Sequence, residues 1–160
     1  MKKNNSENKS LKELYRQLII HHAKNPLNFG KLSNNSLLSE GINPLCGDKI
    51  RIYLKINEAD TIENLTFEGT GCAISIASAS LMTSTLLNMK KYQANQYALD
   101  LISNLNESKS QEGQQPMMDS QEIHALEGVK DFPSRIKCAT LSWQTFISAL
   151  NNNKITTTEK

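Results

Sequence analysis

Residues 62–87 read IENLTFEGTGCAISIASASLMTSTLL, and this stretch decides the fold. Ile62, Leu65 and Phe67 suggest a strand whose alternation is imperfect, so a bulge is expected near Asn64. Gly69, Thr70 and Gly71 end it. A run with Ala73, Ser75, Ala77, Ser78, Ala79 and Ser80 then reads as a helix extending to Leu87. Small residues on a helix let another element approach its backbone closely. A strand passing through two glycines directly into a helix, with Cys72 at the junction, is the most unusual local sequence in the chain.

Upstream of it, Ile50, Ile52, Leu54 and Ile56 alternate with Lys49, Arg51, Tyr53 and Lys55, the pattern of a strand with one solvated face. Asn57 to Asp60 is a polar turn, so the two strands form a hairpin. Asn43-Pro44-Leu45-Cys46-Gly47-Asp48 is a turn by composition, and Leu37 and Leu38 begin a further short strand. Ser10 with Glu13 reads as a capping box opening a helix on Leu11, Leu14, Tyr15, Leu18 and Ile19. That helix runs to about Ala23, since Asn25 precedes a proline. Downstream, a helix spans Ala94 to Leu105. Residues 106–119 are polar, with Gly113 and Pro116, and read as a surface excursion. A short helix follows at Glu122 to Lys130. Pro133 precedes a final helix from about Cys138 to Leu150, on which Trp143 is an anchor for the core or for an interface. The order of helix, strands, then helices predicts an α+β domain in which a small antiparallel sheet of about three strands packs against helices.

The 160 residues suit a single domain over 11–150. Residues 1–10 and 151–160 are polar and are expected to be disordered tails. Neither end has the apolar run of a secretory signal, and no segment reaches the roughly 20 apolar residues of a membrane span. The expectation is a soluble cytoplasmic protein with no membrane partner. With 18 basic and 16 acidic residues the net charge is +2, and the lysines are scattered, so no nucleic-acid partner is expected.

There are 3 cysteines, an odd number that argues against a disulfide framework. Inert buried thiols, a metal site and a reactive thiol all remain open. Cys46 and Asp48 flank Gly47, and a turn with glycine at its middle can converge both side chains on one ion. Cys72 and Cys138 each stand at an expected helix start, where backbone amides favour a thiolate. Three thiolates and one carboxylate would make a tetrahedral set, and soft ligands favour zinc, copper(I) or iron–sulfur chemistry. His21 and His22 read as ordinary residues near a helix end, and His124 as solvated. Arg135 and Lys137 read as surface cations, with Arg135 also able to support a sulfur centre.

The segments from Asn43 to Asp48, from Gly69 to Ser80 and from Arg135 to Ala139 resemble, in order, the three cysteine motifs of the U-type iron–sulfur cluster assembly proteins. These comprise the SufU-like proteins, the IscU-like proteins and the NifU N-terminal domains. The similarity runs from about Leu11 to Leu150 and is nearer the SufU branch. Lys137 stands where IscU-like members carry histidine, and residues 106–131 fit the SufU-like insertion. Gly128 to Arg135 lacks the Leu-Pro-Pro-Val-Lys segment through which IscU-like proteins meet their chaperone.

The resemblance implies zinc held by Cys46, Asp48, Cys72 and Cys138, and no organic cofactor. It implies a sulfurtransferase-like carrier that depends on a pyridoxal-phosphate cysteine desulfurase of the SufS type. Cys46 accepts the sulfur, Arg135 supports it, and a SufB-type scaffold complex receives it. The alternatives are a scaffold that binds iron as a [2Fe–2S] cluster on the same cysteines, and a structural zinc module.

Overall fold

Leu37–Asn43 (β1), Asp48–Ile56 (β2) and Ile62–Thr70 (β3) pair antiparallel in sequence order. The alternation in β2 holds for exposed Lys49, Arg51 and Lys55, while Tyr53, expected on that solvated face, is buried with its hydroxyl donating to Glu68 Oε1 at 2.5 Å. Ile50, Ile52 and Leu54 are buried on one face, beside Leu65 and Phe67 of β3. On the other face Glu40 of β1 accepts from Arg51 Nε at 2.9 Å and pairs with Lys49 at 3.4 Å. The expected bulge is present. Lys55 pairs with Asn64 but Ile56 pairs with Ile62, which leaves Glu63 as the extra residue.

The computed structural model describes residues 3–33, 36–107 and 121–159. The helices are Lys3–Lys24 (α1), Ala73–Leu86 (α2), Lys91–Asn106 (α3), Gln121–His124 (α4) and Pro133–Leu150 (α5), with a 3-10 helix at Ala125–Asp131 before α5. α2 and α5 cover the apolar face of the sheet, and α1 and α3 pack on those two.

The small residues of α2 do more than permit close approach. Ser78 Oγ donates to the Ala139 carbonyl at 2.5 Å and accepts from Trp143 Nε1 at 2.9 Å, which ties α2 to α5. Ser80 Oγ lies 2.8 Å from His22 Nδ1 and accepts from the Leu27 amide at 2.8 Å, which ties α2 to α1 and the chain after it. Trp143 is wholly buried and stacked on Tyr97, with ring centroids 5.9 Å apart, so it anchors the core. Gly41 marks where α5 crosses β1, since a Cβ there would lie 1.9 Å from Thr145 Oγ1.

Four sequence expectations need correction. α1 begins at Lys3 and not near Leu11, so most of the expected 1–10 tail is helical. Residues 3–10 contain no Gly or Pro to stop a helix already nucleated downstream. α5 begins at Pro133, five residues before Cys138. Proline at the first helical position has its φ preset and loses no helical hydrogen bond.

Of the expected surface excursion, Asn106 ends α3, and residues 108–120 lie outside the described residues. The chain from Gln121 to Asp131 buries Ile123, Leu126 and Val129 in the core. Finally, the expected 151–160 tail contains a fourth strand, Ile155–Thr157 (β4), parallel to β1 with Glu40 opposite Ile155 and Ile42 opposite Thr157. The sheet is therefore mixed, in the order β3-β2-β1-β4. The open edge of β1 offers unpaired backbone groups that a short strand can satisfy.

Candidate metal centre

Three pieces of local structure meet at one end of the sheet. The first is the β1–β2 hairpin, in which Asn43 and Asp48 are the last cross-strand pair and residues 44–47 form the loop. Gly47 closes the loop at φ +70°, the left-handed conformation that such hairpins require. Cys46 is half-buried on this loop, whereas Asp48, on the strand, is 1% exposed.

The second piece is the junction of β3 and α2. Cys72 is extended, with φ −71° and ψ 164°, and occupies the N-cap position of α2. Its backbone amide donates to Asp48 Oδ1 at 2.8 Å. Gly71 has φ +156°, and a Cβ on it would lie 2.4 Å from Asp48 Oδ1. The glycine read as a turn residue is thus what lets the junction close over the carboxylate. The third piece is α5, which carries Cys138 wholly buried in its second turn.

The sulfur and oxygen atoms converge. Cys138 Sγ donates to Cys46 Sγ at 3.2 Å. The donor atoms of Cys46, Asp48 and Cys138 all lie within 4.8 Å of one another. Cys72 stands just outside this trio, its Sγ 4.0 Å from Asp48 Oδ2. Of the four ligands expected, three are gathered and the fourth adjoins them. Arg135 Nη1 reaches Cys46 Sγ at 3.8 Å. Its guanidinium is held further in the charged form by a hydrogen bond with Cys138 and by the charges of Cys46, Cys138 and Cys72.

Burial, followed by hydrogen bonds with Cys46, Asp48 and Cys72, pushes the Cys138 thiol far above the ordinary thiol range. Crowded acidic groups without a cation favour their protonated forms, and a divalent cation reverses that preference. The donor set suits such an ion. Zn–S bonds of about 2.3 Å and Zn–O bonds of about 2.0 Å imply tetrahedral edges of about 3.8 Å between sulfurs and about 3.5 Å between sulfur and oxygen, close to the 3.2 Å of Cys138 to Cys46 and the 4.0 Å of Cys72 to Asp48.

The remaining sequence candidates lie elsewhere. His22 is buried between Ser80 and Glu122, while His124 is partly buried with Glu127 at 3.4 Å. Lys137 forms an ion pair with Glu159. Sequence reasoning missed Asn43. It is wholly buried, and its Nδ2 donates to Asp48 Oδ2 at 3.0 Å and to Cys138 Sγ at 3.5 Å. The available signal was its position: two residues flanking a four-residue hairpin loop face each other across the ladder.

Known proteins are similar over most of this length. A Bacillus subtilis (strain 168) protein named zinc-dependent sulfurtransferase SufU is 43% identical over 139 residues, 87% of this chain and 90% of that one. The iron-sulfur cluster assembly scaffold protein IscU of Streptococcus pyogenes serotype M1 is 34% identical over 143 residues, 89% and 86% of the two chains. Among solved structures, FiSufU of the SUF system from Fervidobacterium islandicum AW-1 superposes with a TM-score of 0.73 at 30% identity, covering 83% of this chain and 93% of that one. The family model of the NifU-like N-terminal domain matches residues 14–139, and the chain belongs to that family.

Proposed function

We propose that this protein is a zinc-dependent sulfur acceptor in iron–sulfur cluster assembly, with Cys46, Asp48, Cys72 and Cys138 as the zinc ligands and Cys46 as the acceptor. One observation carries the reading. Cys46, Asp48 and Cys138 gather within 4.8 Å with Cys72 adjoining them, and of the three thiols only Cys46 lies on a hairpin loop, Cys72 being the cap of α2 and Cys138 within α5. The similarity to a protein named zinc-dependent sulfurtransferase supports it. Bound zinc would supply the positive charge that keeps these thiols ionised near neutral pH.

The chain's own residues account for the choice of acceptor. Cys138 is fixed in α5 with no exposure, and Cys72 caps α2, so displacing either disturbs a helix. Cys46 moves with a hairpin loop in which Gly47 has no side chain to obstruct it. The sulfur donor is a persulfide on a pyridoxal-phosphate cysteine desulfurase of the SufS type. The Cys46 thiolate attacks the terminal sulfur of that persulfide. A new S–S bond forms at Cys46 Sγ as the donor's S–S bond breaks, and the electron pair leaves with the donor's cysteine thiolate. No external oxidant or reductant is consumed.

Arg135, 3.8 Å from Cys46 Sγ, offers the positive charge that steadies the thiolate before transfer and the persulfide after it. The onward acceptor is a SufB-type scaffold complex in the cytoplasm, where thiols stay reduced. IscU relatives suggest a second reading, a [2Fe–2S] scaffold. Lys137, where IscU-like proteins carry histidine, is engaged by Glu159 and supplies no such ligand.

The test is incubation with a cysteine desulfurase and cysteine, followed by mass spectrometry of the cysteine peptides without reductant. The expected result is one added sulfur on the Cys46 peptide, from a colourless protein holding one zinc. Sulfur on the Cys138 peptide, or a brown protein with charge-transfer bands, overturns the proposal.

A further inference from the structure

The chain after α5 returns along β1 to the metal centre. β4 pairs with β1 up to Ile42, and the Thr158 amide then donates to the Ile42 carbonyl at 3.1 Å. Thr158 Oγ1 donates to Asn43 Oδ1 at 3.1 Å. Glu159 pairs with Lys137, the neighbour of Cys138.

Asn43 has two amide hydrogens and a carbonyl oxygen, and all are engaged. The hydrogens go to Asp48 Oδ2 and Cys138 Sγ, and the oxygen takes the Thr158 hydroxyl. A carboxylate only accepts, so the amide has one sensible orientation. A continuous chain of hydrogen bonds therefore runs from a half-buried threonine just after the outer strand to the oxygen of Asp48 and the sulfur of Cys138.

We infer that Asn43 is a positioning residue of the metal centre and that the strap at residues 155–159 holds it in place through Thr158, so that strap docking and metal retention are coupled. The inference rests on reading Asp48 and Cys138 as metal ligands. Asn43 occupies one site on Asp48 Oδ2 and so fixes the direction in which that carboxylate can bind an ion. Its N–H···S bond draws electron density from the Cys138 sulfur, which makes Cys138 the poorer nucleophile. Outer partners of this kind typically alter metal affinity by about 10- to 100-fold. Coupling is reciprocal, so the bound ion must in turn tighten the strap.

The experiment uses the full chain loaded with Co(II), whose sulfur-to-metal charge-transfer band reports on the thiolates. Thr158→Val keeps the shape and backbone pairing of the strap but removes its hydroxyl. The expected result is loss of Co(II) to a chelator about tenfold faster than in the wild type, with the band moved to longer wavelength. Thr158→Ser restores both. In an Asn43→Ala background, Thr158→Val adds nothing further. Wild-type release and band position in Thr158→Val, or an undiminished effect of that change in the Asn43→Ala background, overturns the inference.

Amide exchange at residues 155–159 supplies a measurement independent of any variant. It slows on metal binding if the coupling holds, and an unchanged rate overturns it. A wild-type protein that takes up Co(II) with no thiolate band would refute the metal reading itself, which separates that failure from this one.

Discussion

Two glycines flank the metal centre, and their replacement by alanine separates conformational strain from steric exclusion. Gly47 has φ +70°, and a Cβ on it would meet nothing within 4 Å. Gly47→Ala therefore carries only the cost of a left-handed alanine, about 1–2 kcal/mol. Gly71 has φ +156°, and its Cβ would lie 2.4 Å from Asp48 Oδ1 and 3.1 Å from Asp48 Cα and Cβ. The unfavourable backbone costs about 1–3 kcal/mol. The carboxylate must also swing away from the Cys72 amide, which it now accepts at 2.8 Å. Losing that charge-assisted hydrogen bond costs about 1.5–3 kcal/mol more.

Together the two effects in Gly71→Ala amount to roughly 2.5–6 kcal/mol, a large part of the ~5–15 kcal/mol that holds a typical domain folded. Urea denaturation of the metal-stripped proteins measures the difference, and chelator competition on the loaded ones measures retention. Gly71→Ala is expected to be the less stable, by about 3 kcal/mol at the middle of these ranges, and to release zinc faster. Equal midpoints for the two variants would show that the junction does not press on Asp48, and the steric argument would fail.

His22 gives the protein a pH dependence away from the metal centre. Burial lowers its pKa below 6.5 despite the opposing influence of Glu122. The unfolded chain therefore binds the proton first as pH falls. The stability contributed is present above the unfolded value and is lost as the pH drops through and below it. Urea midpoints between about pH 5 and pH 8 should fall more steeply on the acid side for wild type than for His22→Gln, and parallel curves would rule this out. Trp143→Phe removes the 2.9 Å bond to Ser78 and leaves unfilled volume against Tyr97. A loss of about 1–3 kcal/mol is expected by circular dichroism, and a change under about 0.5 kcal/mol would contradict the role given to that bond.

The alternation of Ile50, Ile52 and Leu54, the irregularity at Asn64 and the glycine-flanked Cys72 are short-range features, and each was legible before any coordinates. The four candidate ligands were picked by residue type and local setting, although the helix start expected at Cys138 lies five residues earlier, at Pro133. What escaped depends on partners distant in sequence. Ile155-Thr156-Thr157 is β-branched throughout but too short to read as a strand alone, and it becomes one because β1 presents an open edge to it. Pro133 marks a boundary in sequence, and its preset φ lets it open the helix as readily as precede it. Asn43 reads as a turn residue until Thr158, 115 positions away, holds its carbonyl and leaves its amide to Asp48 and Cys138. The sequence by itself determined which soft, thiol-bearing groups are on offer to a metal. Which of them meet, and what holds them, was decided by long-range pairing, because a hydrogen bond between distant residues leaves no periodicity in the chain.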